Sequence, residues 1–168
     1  MNNEEKNSYV KERITETLLK LLTEKKLDDI SISEITQTAE VGRVSFYRNY
    51  SSKEDILRQE SDRLLNIWGK RFESDPDSTL GNLFPSLFDF FLAHKQFYVT
   101  LAKAGLSDVI RDTILSTADI SSDMPNIEAY VKSFWTYGIY GWTIEWINRG
   151  MKESGPEMHR LFEQMQQK

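Results

Sequence analysis

Arg43, Val44 and Ser45 follow one another directly after a glycine, at the start of a short segment with helical character. An arginine can donate two hydrogen bonds to O6 and N7 of guanine, a valine can contact a thymine methyl group, and a serine can bond to a base or a phosphate. Side chains of these types on the first turn of one helix are suited to reading base edges in the major groove of DNA. Contacts to phosphates would set the register of such a helix, and contacts to bases would set its sequence preference.

The sequence around these residues predicts the elements that must position them. Ser31 and Glu34 form the pattern of a capping box and predict the start of a short helix. Residues 40–42 predict a tight turn, and residues 43–49 predict a second short helix. Two short helices joined by a turn of three or four residues are typical of the helix-turn-helix motif, in which the second helix enters the major groove.

Further helices are predicted on both sides of this motif. The apolar spacing from Ile14 to Leu22 predicts a helix over about 8–25. After the motif, Ser52 and Asp55 predict the capped start of a long helix that reaches about Phe72. Phe46 and Tyr50 are expected to face the interior between these helices.

The segment from 31 to 57 resembles the TetR family of bacterial transcriptional regulators. The resemblance is carried by the run SFYRNY at 45–50 and by SKE at 52–54, and it is specific over about 14–57. The chain departs from the family pattern at three positions. Glu40 stands where the family usually has glycine and is expected to adopt a left-handed conformation, Gly42 replaces a hydroxyl residue at the helix cap, and Asn49 replaces a frequent histidine.

The resemblance implies which residues contact DNA. Tyr47 and Lys53 correspond to residues that contact the DNA backbone in the family. Lys53 also lies in the first turn of a helix, where main-chain N–H groups of the protein favour an anionic phosphate. Together with the base-reading residues, the expected DNA-binding set is Ser33, Arg43, Val44, Ser45, Tyr47, Arg48, Asn49 and Lys53.

The sequence predicts an all-α chain of about nine helices, because no segment shows the alternation of a strand. An N-terminal three-helix helix-turn-helix DNA-binding domain is expected over 1–52, and a C-terminal helical domain over 53–168. The resemblance implies that the C-terminal domain binds a small-molecule effector and forms a dimer.

Aromatic residues of the C-terminal part are of the type that lines an apolar pocket. The other interpretation, that they fill a core, is favoured for any single one of them, and both interpretations stay open for the set. The expected pocket residues are Trp68, Phe72, Phe88, Phe91, Phe97, Tyr98, Trp135 and Tyr137.

The predicted helix over about 126–149 is apolar around nearly its whole circumference. Such a helix is buried on all sides, and in a chain of this length one side is expected to meet a second subunit. The last helix carries a further apolar stripe. The expected dimer interface comprises Tyr130, Phe134, Gly138, Gly141, Trp142, Trp146, Leu161, Phe162 and Met165.

Composition excludes several other classes of protein. There is no cysteine, which excludes disulfides and thiolate metal sites, and the only histidines, His94 and His159, lie in unrelated contexts. No glycine-rich phosphate loop or nucleophile elbow is present, so we expect no enzyme, no metal and no cofactor. No apolar run is long enough to cross a membrane, and the polar N-terminus is unlike a signal peptide, so a location in the bacterial cytosol or nucleoid is expected. The net charge of −5 argues against bulk coating of nucleic acid.

These observations predict a homodimeric, sequence-specific regulator of transcription that binds a near-palindromic double-stranded operator. A repressor released by a small-molecule effector of unknown identity is favoured, and the same conformational scheme would serve an activator. The alternative is a co-regulator or adaptor of the same fold that acts mainly through protein partners.

Overall fold

The computed structural model describes residues 2–166, including the side chains of all of these except Leu80 and Gln166. Within this range the chain forms nine α-helices, one short 3-10 helix over Leu27–Asp29 and no strand, which confirms the predicted all-α class. The helices are α1 (Asn3–Leu22), α2 (Ile32–Thr38), α3 (Arg43–Asn49), α4 (Lys53–Ser74), α5 (Leu80–Ala93), α6 (Lys95–Lys103), α7 (Ser107–Ser116), α8 (Asn126–Asn148) and α9 (Gly155–Gln166).

The first helix begins earlier than predicted. It starts at Asn3 rather than Ser8, because Asn2 and Glu5 form a capping box. The backbone N–H of Glu5 donates to Asn2 Oδ1 over 2.8 Å, and the backbone N–H of Asn2 donates to Glu5 Oε2 over 2.8 Å. These bonds satisfy two donors that the first turn of a helix leaves unpaired, so polar sequence is recruited into the helix.

The helices divide into two compact units, one up to Ser61 and one from Asp62 onward. Helix α4 begins in the first unit and ends in the second. The core of the N-terminal unit is formed by fully buried aliphatic and aromatic side chains of α1 to α4, namely Ile14, Leu18, Ile35, Phe46, Ile56 and Leu57.

In the C-terminal unit, α5 packs against α9 and α7 packs against α8. Phe88 of α5 is fully buried, and its ring lies 5.1 Å from that of Trp146, measured between ring centroids. The contact between α5 and α9 depends on Gly155. A Cβ atom at this position would lie 2.0 Å from the carbonyl oxygen of Pro85, so the backbones approach too closely for any other residue.

Helix α8 is buried on one side only within the chain. Thr136, Thr143, Trp146 and Ile147 are its buried residues. Large apolar side chains on the other side are exposed, namely Ile127, Tyr130, Val131, Phe134, Trp135 and Tyr137. The predicted burial on all sides is therefore not met by the chain alone. Over the described part of the sequence, no helix has both the length and the apolar character needed to span a bilayer.

Candidate nucleic-acid interface

The N-terminus of α2 is capped as the sequence predicts. Ser31 Oγ accepts the backbone N–H of Glu34 over 3.0 Å. The return bond of a capping box is replaced, because the Glu34 carboxylate pairs with the ammonium of Lys25. This pairing lowers the pKa of Glu34 and raises the pKa of Lys25. The ion pair joins the segment after α1 to the first turn of α2.

The turn between α2 and α3 is built around Glu40. Its φ of 57° confirms the left-handed conformation that the sequence predicts. The N–H of Glu40 donates to Gln37 O over 3.2 Å and the N–H of Val41 donates to Thr36 O over 2.9 Å, the two bonds of a Schellman motif. Gly42 has an ordinary φ of −72° and serves as the extended N-cap of α3. The left-handed residue of this turn is therefore a glutamate that lacks the conformational freedom of glycine.

Helix α3 has the predicted bounds, Arg43–Asn49. Phe46 and Tyr50 face the interior, as predicted. Arg43, Val44, Tyr47 and Arg48 are exposed, and their spacing places them along one side of the helix. We call these four residues the α3 outer face; it presents two guanidinium groups, a phenol and an isopropyl group to solvent.

The remaining candidates on α3 are half-buried. Asn49 Nδ2 donates to the carbonyl oxygen of Ser45 over 2.9 Å, so its amide is engaged within the helix. Ser45 lies between the buried and exposed sides of α3.

Ser33 of α2 contacts Arg43 of α3. The Nη2 group of Arg43 donates a hydrogen bond to Ser33 Oγ. Both residues belong to the predicted DNA-binding set, but their spacing in the sequence does not predict a hydrogen bond between them.

Lys53 is engaged by the backbone of its own unit. Its Nζ donates to the carbonyl oxygens of Leu27, over 2.6 Å, and Ile30, over 2.7 Å. An ammonium carries three donors, so these bonds use two of them and leave one for a phosphate oxygen. The sequence did not predict this contact, which fixes the 3-10 helix against the start of α4.

The end of α3 is tied to α4 by two residues outside the predicted set. Gln59 Nε2 donates to the carbonyl oxygen of Asn49 over 3.0 Å. The Asp55 carboxylate accepts the backbone N–H of Ser51 over 2.8 Å and the Ser51 hydroxyl over 3.0 Å. The hydrogen bond from the backbone N–H of Ser51 is the main cause of the lowered pKa of Asp55. The backbone N–H of Asp55 in turn donates to Ser52 Oγ over 3.1 Å, as the predicted helix cap requires.

Most of the predicted pocket aromatics do not line the cleft that the described part of the C-terminal unit carries. An open cleft of about 540 Å³ runs between the C-terminal unit's part of α4 and α7. Trp68 lines it, together with mainly polar residues: Asp62, Leu65, Asn66, Gly69, Lys70, Glu73, Thr113, Ser116 and Thr117. Asp62 Oδ1 accepts the Thr113 hydroxyl over 2.9 Å at one end of the cleft.

The other predicted pocket residues lie elsewhere. Four of them are buried in the core of the C-terminal unit, namely Phe88, Phe91, Phe97 and Tyr98. Phe72 packs on Trp68 with ring centroids 5.6 Å apart. Trp135 and Tyr137 are exposed on α8. The four buried residues therefore contribute to the core in this structure, and of the predicted pocket residues only Trp68 lines the described cleft.

Most of the predicted dimer residues lie on the surface. Phe134 is 73% exposed and Tyr130 is 67% exposed, and Leu161 and Met165 of α9 are exposed as well. A Cβ atom at Gly138 or Gly141 would meet no atom within 4 Å. Trp142 and Phe162 are half-buried and pack on each other, with ring centroids 6.0 Å apart. Trp146 is an exception. It is only 2% exposed and belongs to the core of its own chain, where it packs on Phe88.

Similar solved structures share this architecture. Lin0861 from Listeria innocua aligns with a TM-score of 0.79 at 11% identity, over 99% of this chain and 94% of that one. A tetR-family transcriptional regulator from Streptomyces coelicolor aligns at 0.52 and 21% identity, over 95% and 77%. The fatty acid degradation regulator FadR from Bacillus halodurans aligns at 0.54 and 12% identity, over 90% and 93%. At these low identities the structural alignments show a common fold alone.

Two family profiles match the sequence itself. The profile described as bacterial regulatory proteins of the tetR family matches residues 14–59. The profile described as a transcriptional regulator C-terminal region matches residues 78–168, more than half of the chain. No curated protein matches the sequence. The N-terminal match covers the helix-turn-helix of α2 and α3, and the chain therefore belongs to the TetR family of bacterial regulatory proteins and is a DNA-binding transcriptional regulator.

Proposed function

We propose that this protein is a homodimeric repressor that binds a near-palindromic operator through α3 and leaves it when a small-molecule effector binds the C-terminal unit. The observation that carries the proposal is the α3 outer face. It presents Arg43 and Val44 on the first turn, where side chains reach base edges, and Tyr47 one turn later for a phosphate. Lys53 is proposed to contribute a phosphate contact with its third donor.

The exposed apolar side of α8 and α9 supports the dimer. The exposed apolar side chains are Tyr130 and Phe134 on α8 and Leu161 and Met165 on α9, and Phe162 of α9 packs on Trp135 and Trp142 of α8. A water-soluble monomer rarely carries an apolar surface of this kind. We call it the α8–α9 surface. Pairing of two copies by a two-fold axis would bury it against itself, and open space at Gly138 and Gly141 would let the partner helix approach closely. A two-fold dimer presents two recognition helices to two half-sites, which explains a near-palindromic operator.

The cleft between α4 and α7 supports release by an effector. Helix α4 lines the cleft with Asp62, Trp68 and Glu73, and the same helix holds the end of α3 through Gln59. A ligand in the cleft that favours one position of α4 would bias the position of α3. The effector needs a higher affinity for the state that fits DNA poorly, since a ligand shifts an equilibrium only by its differential affinity.

The experiment is a pair of charge substitutions at exposed apolar residues. Phe134→Glu introduces two like charges at the α8–α9 surface of the proposed dimer, whereas Ile120→Glu introduces the same charge at an exposed apolar residue in the loop before α8. Sedimentation equilibrium should give a dimer for the wild type and for Ile120→Glu, and a monomer for Phe134→Glu. Binding to a duplex with two half-sites, selected from random sequence, should weaken only in the monomeric variant. The proposal would be refuted if the wild type sediments as a monomer and still binds this duplex with the affinity expected of a dimer.

A further inference from the structure

We infer that Ser33 is a positioning residue for Arg43: its hydroxyl holds the guanidinium at the place from which Arg43 reads a guanine. The inference rests on the proposed function, in which Arg43 contacts a base. It assigns Ser33 a role that acts through another side chain rather than a direct contact with DNA.

The contact joins the two helices of the motif. Arg43 is the first residue of α3 and is exposed, so on its own its long side chain would sample many rotamers. Ser33 lies in the first turn of α2, half-buried, and its Oγ accepts a hydrogen bond from Arg43 Nη2. The Arg43 side chain is thereby held at both ends, at its Cα atom by the α3 backbone and at its guanidinium by Ser33 of α2.

Hydrogen bonds within α2 hold the backbone of Ser33 in place. Its carbonyl oxygen accepts the hydroxyl of the buried Thr36 over 3.1 Å. The first turn of α2, which contains Ser33, is capped by Ser31, and the far end of α2 closes in the Schellman motif around Glu40. A short side chain on such an element has few conformations, which is what a positioning group requires.

The chemistry of the pair leaves Arg43 free to read a base. A guanidinium has five N–H donors, and the bond to Ser33 uses one of them, so a bidentate contact to O6 and N7 of guanine remains available. A serine hydroxyl is neutral. A carboxylate at the same position would also orient the arginine, but it would compete with guanine for the donors and repel the phosphates.

The alternative role for Ser33 is a direct contact to a phosphate, and a double-mutant cycle separates the two. The variants are Ser33→Ala, Arg43→Ala and the double variant, each as the full chain. Fluorescence anisotropy measures binding to the duplex selected from random sequence, at salt concentrations from about 50 to 200 mM, because the slope against salt counts phosphate contacts. Ser33→Thr restores the hydroxyl, and Thr38→Ala removes an exposed hydroxyl from the same helix as a matched control. Far-UV circular dichroism on heating checks that every variant is folded.

We expect Ser33→Ala to weaken binding about two- to tenfold, the effect of releasing one rotamer-rich side chain. The loss should disappear in the Arg43→Ala background, the salt slope should stay unchanged, and Ser33→Thr and Thr38→Ala should bind like the wild type. A loss that persists in the Arg43→Ala background, with a slope reduced by about 0.9, would overturn the inference in favour of a phosphate contact.

The binding of the two single variants distinguishes the role of Ser33 from the base contact of Arg43. If Arg43→Ala weakens binding and Ser33→Ala does not, the inference is wrong and the proposed function stands. If Arg43→Ala binds as tightly as the wild type, the base contact of the proposed function is wrong and the role of Ser33 falls with it.

Discussion

Phe46 and Tyr47 are neighbours in α3 whose rings meet edge to face with centroids 5.3 Å apart, yet the first is fully buried and the second is 62% exposed. The same helix turn therefore supplies a core residue and a surface residue of nearly equal size. Phe46 also packs on Tyr50, with ring centroids 5.8 Å apart, and both side chains are buried in the core of the N-terminal unit.

Substitution of these neighbours separates folding from DNA binding. Phe46→Ala should lower the free energy of unfolding of the N-terminal unit by about 3–5 kcal/mol, because it empties a fully buried site. Tyr47→Ala should change it by less than about 0.5 kcal/mol, as is usual for an exposed position. Urea unfolding checks both values, and operator binding should be weakened by Tyr47→Ala although that variant is folded. Equal destabilisation by the two substitutions would contradict the placement of α3.

The left-handed backbone conformation of Glu40 is strained. Glu40→Gly should raise the free energy of unfolding by about 1 kcal/mol, since a residue with a Cβ atom is disfavoured in this region by about that amount. Glu40→Ala removes the carboxylate but keeps the Cβ atom, so it should bring no gain. Urea unfolding of the three proteins decides, and an equal gain in both variants would trace the effect to the charge instead of the backbone.

Asp55 makes stability depend on pH. Its pKa is lower in the folded chain than in the unfolded chain, mainly because its carboxylate accepts the backbone N–H of Ser51. The carboxylate therefore stabilises the fold above its unfolded pKa of about 3.9, and this contribution is lost as the pH falls through the lower folded value.

The matching substitution is Asp55→Asn. It should destabilise the N-terminal unit at neutral pH, and its difference from the wild type should shrink on acidification, as measured by urea unfolding across the acidic range. Ser51→Ala keeps the backbone donor and removes only the hydroxyl bond, so it should retain most of the wild-type pH dependence. A difference between Asp55→Asn and wild type that is constant with pH would show that the charge is not responsible.

Gly155 is required by the approach of α9 to α5. Its N–H donates to Asp89 Oδ1 over 2.6 Å, and the Cβ atom of an alanine would collide with the Pro85 carbonyl. Gly155→Ala should therefore destabilise the C-terminal unit by about 1–3 kcal/mol. Gly69 lies inside α4, and a Cβ atom added there would meet no atom within 4 Å. Gly69→Ala should therefore stabilise the helix by up to about 1 kcal/mol. Thermal unfolding compares them, and a Gly155→Ala protein as stable as wild type would mean that the two helices lie farther apart.

The helix-turn-helix was predictable because its signals are local. The bounds of α3, the cap at Ser31 and the inward side of Phe46 each depend on a few consecutive residues. The left-handed Glu40 follows from the resemblance, because the family usually has glycine at that position. The early start of α1 was missed because apolar periodicity begins later in the sequence, whereas the helix start is decided by the polar pair Asn2 and Glu5.

Contacts between distant residues were not predictable from the pattern. The bonds of Lys53 to the carbonyls of Leu27 and Ile30, and of Arg43 to Ser33, join separate helices whose packing the sequence does not display. In the C-terminal unit the aromatic residue type could not distinguish a core from a pocket. The apolar circumference of α8 predicts Trp146 in the dimer interface, whereas its burial follows from the side of α8 that faces Phe88 of α5.

The most direct test of the account is a selection of bound duplexes from random DNA by the purified protein, at a stated moderate salt concentration because affinity falls steeply with salt. We predict enrichment of a near-palindrome whose half-sites lie about one helical turn apart, or a multiple of it, and loss of the enrichment with Arg43→Ala. Failure of a folded, dimeric protein to enrich any sequence would contradict the account and favour an adaptor that acts through protein partners.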